Sequence, residues 1–351
     1  MQKFMINGGN RLKGTIRTSG SKNATLPLLA ACILCPGKCV IHEAPKLKDV
    51  EVMQDLLVYL GAEVVRERNS IEVDTSALQS IDVSEELMRR MRASNLVLGA
   101  LLGRFGRVRI SYPGGCQIGS RPMNLHLKGL RALGANIEEK FGYITAEAQQ
   151  LHGADIHLDL PSVGATENIL MAAVYAKGVT TIRNAAKEPE IVDLQTFLNK
   201  MGAKVTGAGT DTIKIEGVAY GDLKPAEHKV IPDRIEAGTH LVAAAITGGD
   251  VTVTNVIPEH LEPVLAKLRE CNVNLTVYDD KIRVQGNHRI KAVDIKTLHH
   301  PGFPTDMQPQ MMALLSIAEG TSIITETIFE NRFKHVPELR RMGADITVEG
   351  Q

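Results

Sequence analysis

The sequence predicts an α/β protein in which sheets and amphipathic helices surround central helices that are apolar on most faces. Three observations predict it: a repeat of about 71 residues, helices made almost wholly of Ala, Leu, Ile, Val and Met, and paired strands with alternating polarity. The repeat has two markers. The first is an apolar helix ending in glycine and followed by a strand, seen in CPGKCVI, RFGRVRI, AKGVTTI, TGGDVTV and AEGTSII; its glycines are Gly37, Gly106, Gly178, Gly249 and Gly320, at steps of 69, 72, 71 and 71. The second is a helix end followed by a hairpin, in YLGAEVV, ALGANIE, KMGAKVT, ECNVNLT and RMGADIT. It falls at Gly61, Gly134, Gly202, Asn272 and Gly343, with steps of 73, 68, 70 and 71. Two markers in phase define one unit, read as helix, strand, helix, hairpin, with glycine as the left-handed residue that ends each helix.

Each element has its own warrant. The helices NLVLGALLG, NILMAAVYA, THLVAAAIT and MMALLSIA are nearly all aliphatic, and helices apolar on most faces are buried ones. EVVRERNSIEVD and AKVTGAGTDTIKIEG alternate around a turn, as half-buried antiparallel strands do. The 351 residues fit about two domains. With tryptophan absent and aromatics at 4%, the cores are aliphatic.

Composition excludes several functions. Forty basic residues balance forty acidic ones, so no long-range field collects a polyanion; nucleic acid is a poor partner and any anion site is local. The longest apolar run, LPLLAACILC, is too short to span a membrane, and MQKFMINGGN lacks a signal region. A soluble cytoplasmic protein with no membrane partner is expected. Five cysteines make no disulfide framework. Cys32, Cys35 and Cys39 with His42 have metal-ligand spacing, yet Cys32 and Cys39 occupy repeat positions filled elsewhere by Leu101, Ala173, Ala244 and Leu315, and by Val108, Thr180, Val251 and Ser322. Those are core slots, which small thiols fill well, so no metal is expected. H-E-x-x-H, Walker A and G-x-G-x-x-G patterns are all missing.

The copies differ where chemistry is to be sought. Between the two markers the spacings are 24, 28, 24, 23 and 23, and the surplus of the second copy lies in SYPGGCQIGSRP, Ser111 to Pro122. Gly114, Gly115 and Gly119 with few apolar anchors describe a mobile loop or lid around Cys116. Arg121 supplies a cation that lowers a thiol pKa from about 8.5. Polar residues also gather where the central helices begin: Ser21, Lys22 and Asn23; Arg92, Ser94 and Asn95; Ser162, Gly164 and Thr166; Asp233 and Arg234; Thr305 and Asp306. Capping explains some of them, but not Lys22, Arg92 or Arg234. Helix starts bearing cations form a local site for phosphate or carboxylate.

These residues lie in strings, among them SGSKNATLPLLAA, MRASNLVLGALLGRFG, PGGCQIGSRPMNLHLKGL, SVGATEN, PDRIEAGTHLVAAAI, FPTDMQPQ and TETIFENRFKHVPELRRMGA, through which the chain resembles the UDP-N-acetylglucosamine enolpyruvyl transferases (1-carboxyvinyltransferases). The likeness runs from Lys3 to the last residue. It implies a two-domain inside-out α/β barrel of six repeats with the active site between the domains: residues 22–230 form a three-repeat domain carrying the Cys116 loop, and 1–21 with 231–351 form the second. It implies transfer of the enolpyruvyl group of phosphoenolpyruvate to the 3′-hydroxyl of UDP-N-acetylglucosamine, with release of phosphate and no cofactor. That is the first committed step of peptidoglycan and cell-wall synthesis, on which cell shape and division depend.

Carried over by residue, Cys116 matches the loop cysteine that donates a proton, forms a phosphoenolpyruvate adduct and is alkylated by fosfomycin. Asp306 matches the aspartate facing the sugar hydroxyl as base, although a helix-capping carboxylate is a weak one. Lys22 and Arg121 match phosphoenolpyruvate contacts, with Asn23 beside Lys22. Arg92, Arg121, Pro122, Met123, Asn124, Leu125 and Ile328 match UDP-sugar contacts, Ser162, Val163 and Gly164 the diphosphate region, and Arg332 a position near the domain interface. Asn124 stands where the family often has aspartate, and Pro161 where some members have lysine. Against a six-repeat plan the chain holds five repeats and part of a hairpin, without two phosphoenolpyruvate-binding arginines of the sixth. Little turnover is therefore expected, in a monomer or weak homo-oligomer. The rival readings are a non-catalytic UDP-sugar-binding remnant and a shikimate-pathway enolpyruvyl transferase, which shares the architecture but not the PGGC loop.

Overall fold

The computed structural model describes residues 5–79, 81–114, 118–119, 122–286 and 289–350. Strand β1 (Lys13–Arg17) comes first, and the first repeat follows as α1 (Lys22–Ala31), β2 (Lys38–His42), α2 (Lys48–Tyr59) and the hairpin strands β3 (Glu63–Glu67) and β4 (Ser70–Asp74). The second has α3 (Glu85–Arg90), α4 (Val97–Phe105), β5 (Arg107–Ser111), α5 (Asn124–Ala132), β6 (Asn136–Lys140) and β7 (Tyr143–Glu147). The third has β8 (Asp155–His157), α6 (Val163–Ala173), β9 (Val179–Arg183), α7 (Pro189–Met201), β10 (Lys204–Thr206) and β11 (Thr212–Glu216). After β12 (Glu227–Lys229) the fourth runs through α8 (Arg234–Ile246), β13 (Asp250–Thr254), α9 (Glu262–Glu270), β14 (Asn274–Val277) and β15 (Lys281–Gln285). The fifth has β16 (Ile295–Lys296), α10 (Gln308–Leu315), β17 (Ile324–Thr325) and α11 (Val336–Arg341). Short 3-10 turns, Arg92–Leu96 and Thr305–Met307, lead into α4 and α10.

One sheet pattern recurs. The orders β12-β2-β4-β3, β8-β9-β11-β10 and β1-β13-β15-β14 each set a leading strand parallel to the strand after the central helix, then add an antiparallel hairpin. In β5-β7-β6 the leading position holds only a parallel bridge from Asp82 to Arg109. The fifth repeat shows the parallel pair β16-β17, and residues 344–350 form no strand. The expected order of helix, strand, helix, hairpin thus lacks a leading strand. Sequence alternation misses it for a physical reason: β8 and β12 are three residues long with only the middle one buried, so pairing alone defines them.

Contacts divide the chain into two units. The large unit comprises Gly20–Gln117 and Arg121–Ile231; the small one comprises Met1–Ser19, Ile118–Ser120 and Pro232–Gln351. In the large unit α1 is buried from Ala24 to Ala31 and α6 from Ala165 to Ala173, as helices without a polar face must be. The outer α2 buries only Val50, Val52, Met53, Leu56 and Leu57. The small unit packs α8 against α10 in a core of its own. Among the described residues no helix is long and apolar enough to cross a membrane.

Nine of the ten marker residues have positive φ, including Asn272 at 67°, where a glycine stands in the other copies. The exception corrects the expectation. Gly248, at φ 58°, takes the left-handed position after α8, and Gly249 does not. Gly249 is small for another reason: a Cβ there would lie 2.3 Å from the Leu12 carbonyl, which accepts the neighbouring Asp250 N–H at 2.8 Å as β1 pairs with β13.

Helices α4 and α6 approach closely, so that a Cβ on Gly99 would stand 2.1 Å from the Asn168 carbonyl. A backbone atom cannot swing aside as a side chain can. Gly99→Ala is therefore expected to lower unfolding stability by about 3 kcal/mol, read as a reduced urea midpoint. A midpoint within experimental error of the parent would show that the helices separate freely.

Candidate functional site

The helix starts of the large unit use their polar residues in different ways. The buried Ser21 Oγ accepts the Ala24 N–H at 3.3 Å, and Ser162 Oγ accepts the Ala165 N–H at 3.4 Å; both are N-caps. In the small unit Asp233 Oδ1 caps α8 through the N–H groups of Ile235 and Glu236 at 2.9 and 3.0 Å. Ser94 does not cap: its hydroxyl donates to the carbonyls of Met91 and Met88 at 2.6 and 3.0 Å and locks the turn that starts with Arg92. Thr166 accepts the Ala186 N–H at 3.2 Å. Capping thus covers the hydroxyls and Asp233 only in part, and it leaves the cations unexplained. Lys22, first in α1 and half-exposed, has its Nζ 3.0 Å from Asp49 Oδ2 at the start of α2.

One side chain ties three helices together. Asn168 Oδ1 accepts the Gly99 N–H of α4 at 2.7 Å, while Nδ2 donates to Nδ1 of His126 on α5 at 3.1 Å and to the Gly164 carbonyl of α6 at 3.2 Å. The Gly99 N–H lies in the first turn of α4, where no helical carbonyl is available, so a neighbouring helix satisfies it. Because Nδ1 accepts, the His126 ring carries its proton on Nε2. Burial, and then the charge of Arg92, push its pKa down to about 3. His126 therefore stands, neutral, between the Arg92 turn and the Ser162–Gly164 start; a Cβ on Gly164 would be 3.0 Å from its Cε1. Met123 and Asn124–Leu125 enter the same cluster from the beginning of α5, and Asn95 Nδ2 donates to the Met123 sulfur at 3.2 Å. Asn124 and Pro122 are exposed, as is Asn23. Sequence reading missed His126 and Asn168. For Asn168 the signal was a polar residue inside an otherwise apolar helical run, and for His126 a polar residue on the buried face of an amphipathic helix.

In the small unit Asp306 does not cap its helix, contrary to expectation. Pro304 holds the cap position of the Thr305–Met307 turn, and the Asp306 carboxylate goes to Arg332, with Nη2 2.7 Å from Oδ1. The side chains are 14% exposed for Arg332 and 41% for Asp306. Among the described residues the second oxygen, Oδ2, has no partner, which leaves it directed to solvent or a ligand. Ile328 lies on the segment after β17, and Asn331 N–H donates to the Ile118 carbonyl at 2.9 Å. Arg92, Ser162, Val163, Gly164, Asn124 and Leu125 thus gather around His126, with α1 packed on the Arg92 turn and Lys22 engaged by Asp49. Asp306 and Arg332 meet in the small unit. Cys116 and Arg121 lie outside the described residues.

Cys32, Cys35 and Cys39 are fully buried, and the Cys32 thiol donates to the Leu28 carbonyl at 3.3 Å. The neighbouring Cys39 thiol, together with burial, keeps Cys32 protonated. Among the described residues no group of three or more His, Cys, Asp or Glu side chains is arranged to hold a metal ion.

The His126 environment sets a pH dependence. A histidine with an ordinary pKa of 6.5 when unfolded and about 3 when folded takes up its proton preferentially in the unfolded chain. Its contribution is complete above pH 6.5 and is lost as pH falls towards 3. In His126→Gln the fall of stability between pH 6 and pH 4 should be shallower than in the parent by up to about 1.4 kcal/mol per pH unit. Parallel stability curves from chemical denaturation would rule this out.

Comparison with known proteins extends these observations. Residues 6–351 match the family model described as EPSP synthase (3-phosphoshikimate 1-carboxyvinyltransferase). A UDP-N-acetylglucosamine 1-carboxyvinyltransferase from Carboxydothermus hydrogenoformans is 57% identical over 351 residues, covering 100% of this chain and 83% of that protein. Among solved structures, the enolpyruvyl transferase NikO from Streptomyces tendae aligns with a TM-score of 0.87 at 26% identity, over 98% of this chain and 82% of that one. EPSP synthase from Acinetobacter baumannii aligns with a TM-score of 0.71 at 20% identity over the same shares, a likeness of fold alone. The repeated sheet order, the buried central helices and the full-length match make this chain a member of the enolpyruvyl (1-carboxyvinyl) transferase family.

Proposed function

We propose that the chain transfers the enolpyruvyl group of phosphoenolpyruvate to the 3′-hydroxyl of UDP-N-acetylglucosamine, the peptidoglycan-synthesis reaction. The observation that carries this reading is the 57% identity, extending over the whole chain, to a protein named for that activity. The shikimate-pathway enzyme offers only 20% identity and a shared fold. We assign the functional domains as 22–230 and 1–21 with 231–351, and the setting as the cytoplasm, with the two substrates as partners and no membrane or nucleic acid.

The reaction is an addition followed by an elimination. The sugar hydroxyl attacks C2 of phosphoenolpyruvate while a proton goes to its methylene carbon. Loss of a methyl proton and of phosphate then restores the double bond on the product. Asp306 Oδ2 takes the hydroxyl proton in this scheme, and Arg332, paired with Oδ1, aims the carboxylate. Cys116 delivers the proton to the methylene carbon, the role that makes it the target of fosfomycin. Lys22 and Arg121 hold the phosphate and carboxylate of phosphoenolpyruvate, with Asn23 at the same helix start. Arg92 and the first turn of α6 at Ser162, Val163 and Gly164 meet the nucleotide diphosphate, where backbone N–H groups and a helix dipole favour negative charge. Pro122 to Leu125 and Ile328 complete the UDP-sugar contacts. His126 keeps the two large-unit starts in register without adding charge of its own.

Calorimetric titration tests the substrate class. The chain should bind UDP-N-acetylglucosamine and give no heat with shikimate 3-phosphate. Arg92→Ala should weaken the UDP-sugar about tenfold, the loss of one charge-assisted contact worth about 1.4 kcal/mol. Heat with shikimate 3-phosphate alone would transfer the chain to the other substrate, and silence with both would remove the functional reading.

A further inference from the structure

Glu326 is a carboxylate of the small unit that accepts four hydrogen bonds, and nothing in the reaction scheme employs it. Its Oε1 accepts the Thr297 hydroxyl at 2.9 Å, the Ile328 N–H at 2.9 Å and the Phe329 N–H at 3.2 Å; Oε2 accepts the Thr305 hydroxyl at 2.9 Å. Thr297 is itself fully buried and also accepts the Thr327 N–H at 2.9 Å, while the Thr327 hydroxyl donates to the Thr297 carbonyl at 2.5 Å. The arrangement sits where the parallel pair β16-β17 ends: Thr297 follows β16, Glu326 follows β17, and the Thr297 N–H still donates to the Thr325 carbonyl at 3.0 Å.

Two segments converge on this one side chain. Through Oε2 it holds Thr305, the residue before Asp306. Through Oε1 it holds the backbone of Ile328 and Phe329, at the head of the segment whose Arg332 pairs with Asp306. The Asp306 turn is therefore tied at both ends of a loop, by Glu326 to Thr305 and by Arg332 to Asp306. Hydrogen bonds to an ionised acceptor are about twice as strong as neutral ones, so four donors on one carboxylate make a rigid node.

Resting on the functional reading above, we propose that Glu326 is a positioning residue for the nucleotide-sugar acceptor. It sets the Asp306 carboxylate and the Ile328 backbone at a fixed separation, so that the group meant to deprotonate the sugar hydroxyl and the chain meant to contact the nucleotide act on the same bound molecule. Glutamine at this position retains an oxygen for the Thr297 hydroxyl and the Ile328 and Phe329 N–H groups but presents its amide NH2 to Thr305. Alanine removes every acceptor.

The experiment uses the purified chain and the variants Glu326→Gln and Glu326→Ala, with amide hydrogen exchange and calorimetric titration by UDP-N-acetylglucosamine. In Glu326→Ala the Ile328 and Phe329 amides should exchange at least about tenfold faster, while Val251 and Val253 in β13 keep their protection as the check on folding. Its UDP-sugar affinity should fall about tenfold, and Glu326→Gln should recover most of both losses. Faster exchange with unchanged affinity would make Glu326 a structural residue only and overturn the proposal. So would an alanine variant that matches the parent in both measurements. Failure of the functional reading has a different signature, in which the unsubstituted chain itself takes up no UDP-N-acetylglucosamine.

Discussion

The crossing of α4 and α6 is the constraint on which the large unit depends. Helices without a polar face are stable in water only when other elements cover them on all sides, and three such helices in a small volume must approach closely. Gly99 permits that approach, and Asn168 turns the contact into a hydrogen-bonded node with α4, α5 and the opening turn of α6. The packing and the site therefore share one set of atoms. A shift of α6 against α4 would move the Ser162–Gly164 start relative to Arg92, and His126 between them has no freedom to compensate, being buried and uncharged. This is the reason the polar Asn168–His126 pair sits between the apolar central helices.

The leading strands explain how the chain is shared between the two units. In the third repeat the strand before the central helix pairs in parallel with the strand after it, whereas the first and fourth repeats exchange these strands, β12 pairing with β2 and β1 with β13; parallel neighbours need a crossover connection rather than a tight turn. The leading strand of the first repeat's sheet is β12, more than 180 residues downstream of β2, and that of the fourth repeat's sheet is β1, at the other end of the chain. The chain accordingly begins in the small unit, builds the large unit between Gly20 and Ile231, and returns. Sheet pairing imposes this discontinuity.

The electrostatics follow from a chain with no net charge. The proposed anion site is assembled from helix starts and individual cations, which neighbours hold: Ser94 locks the Arg92 turn, Asp49 engages Lys22, and Asp306 engages Arg332. Asp306 illustrates why side-chain roles are hard to assign from position. Two residues after Pro304 and at the start of an apolar helix it has the sequence context of a cap, yet the mostly buried guanidinium of Arg332, 26 residues downstream, offers its carboxylate a stronger partner than a backbone N–H.

Much of the fold was legible because it rests on local physics. Periodicity of apolar residues gave the central helices, alternation gave the hairpins, and the left-handed glycines marked helix ends at a 71-residue beat; even Asn272, the one non-glycine marker, adopts the conformation the repeat demands. The site candidates were legible as polar residues at helix starts, and the likeness of whole strings to a known family attached chemistry to them. What the tertiary structure alone decided are the pairings between segments far apart in the chain: the short leading strands, the left-handed role passing from Gly249 to Gly248 where β1 crowds β13, the Asn168–His126 node, and the Glu326 carboxylate that joins Thr297, Thr305 and Ile328. A residue's own neighbours in sequence determine whether it favours helix, strand or turn, since that preference is a property of a few bonded dihedrals. Which donor meets which acceptor is determined by where the helices and sheets come to rest, and no local pattern contains that distance.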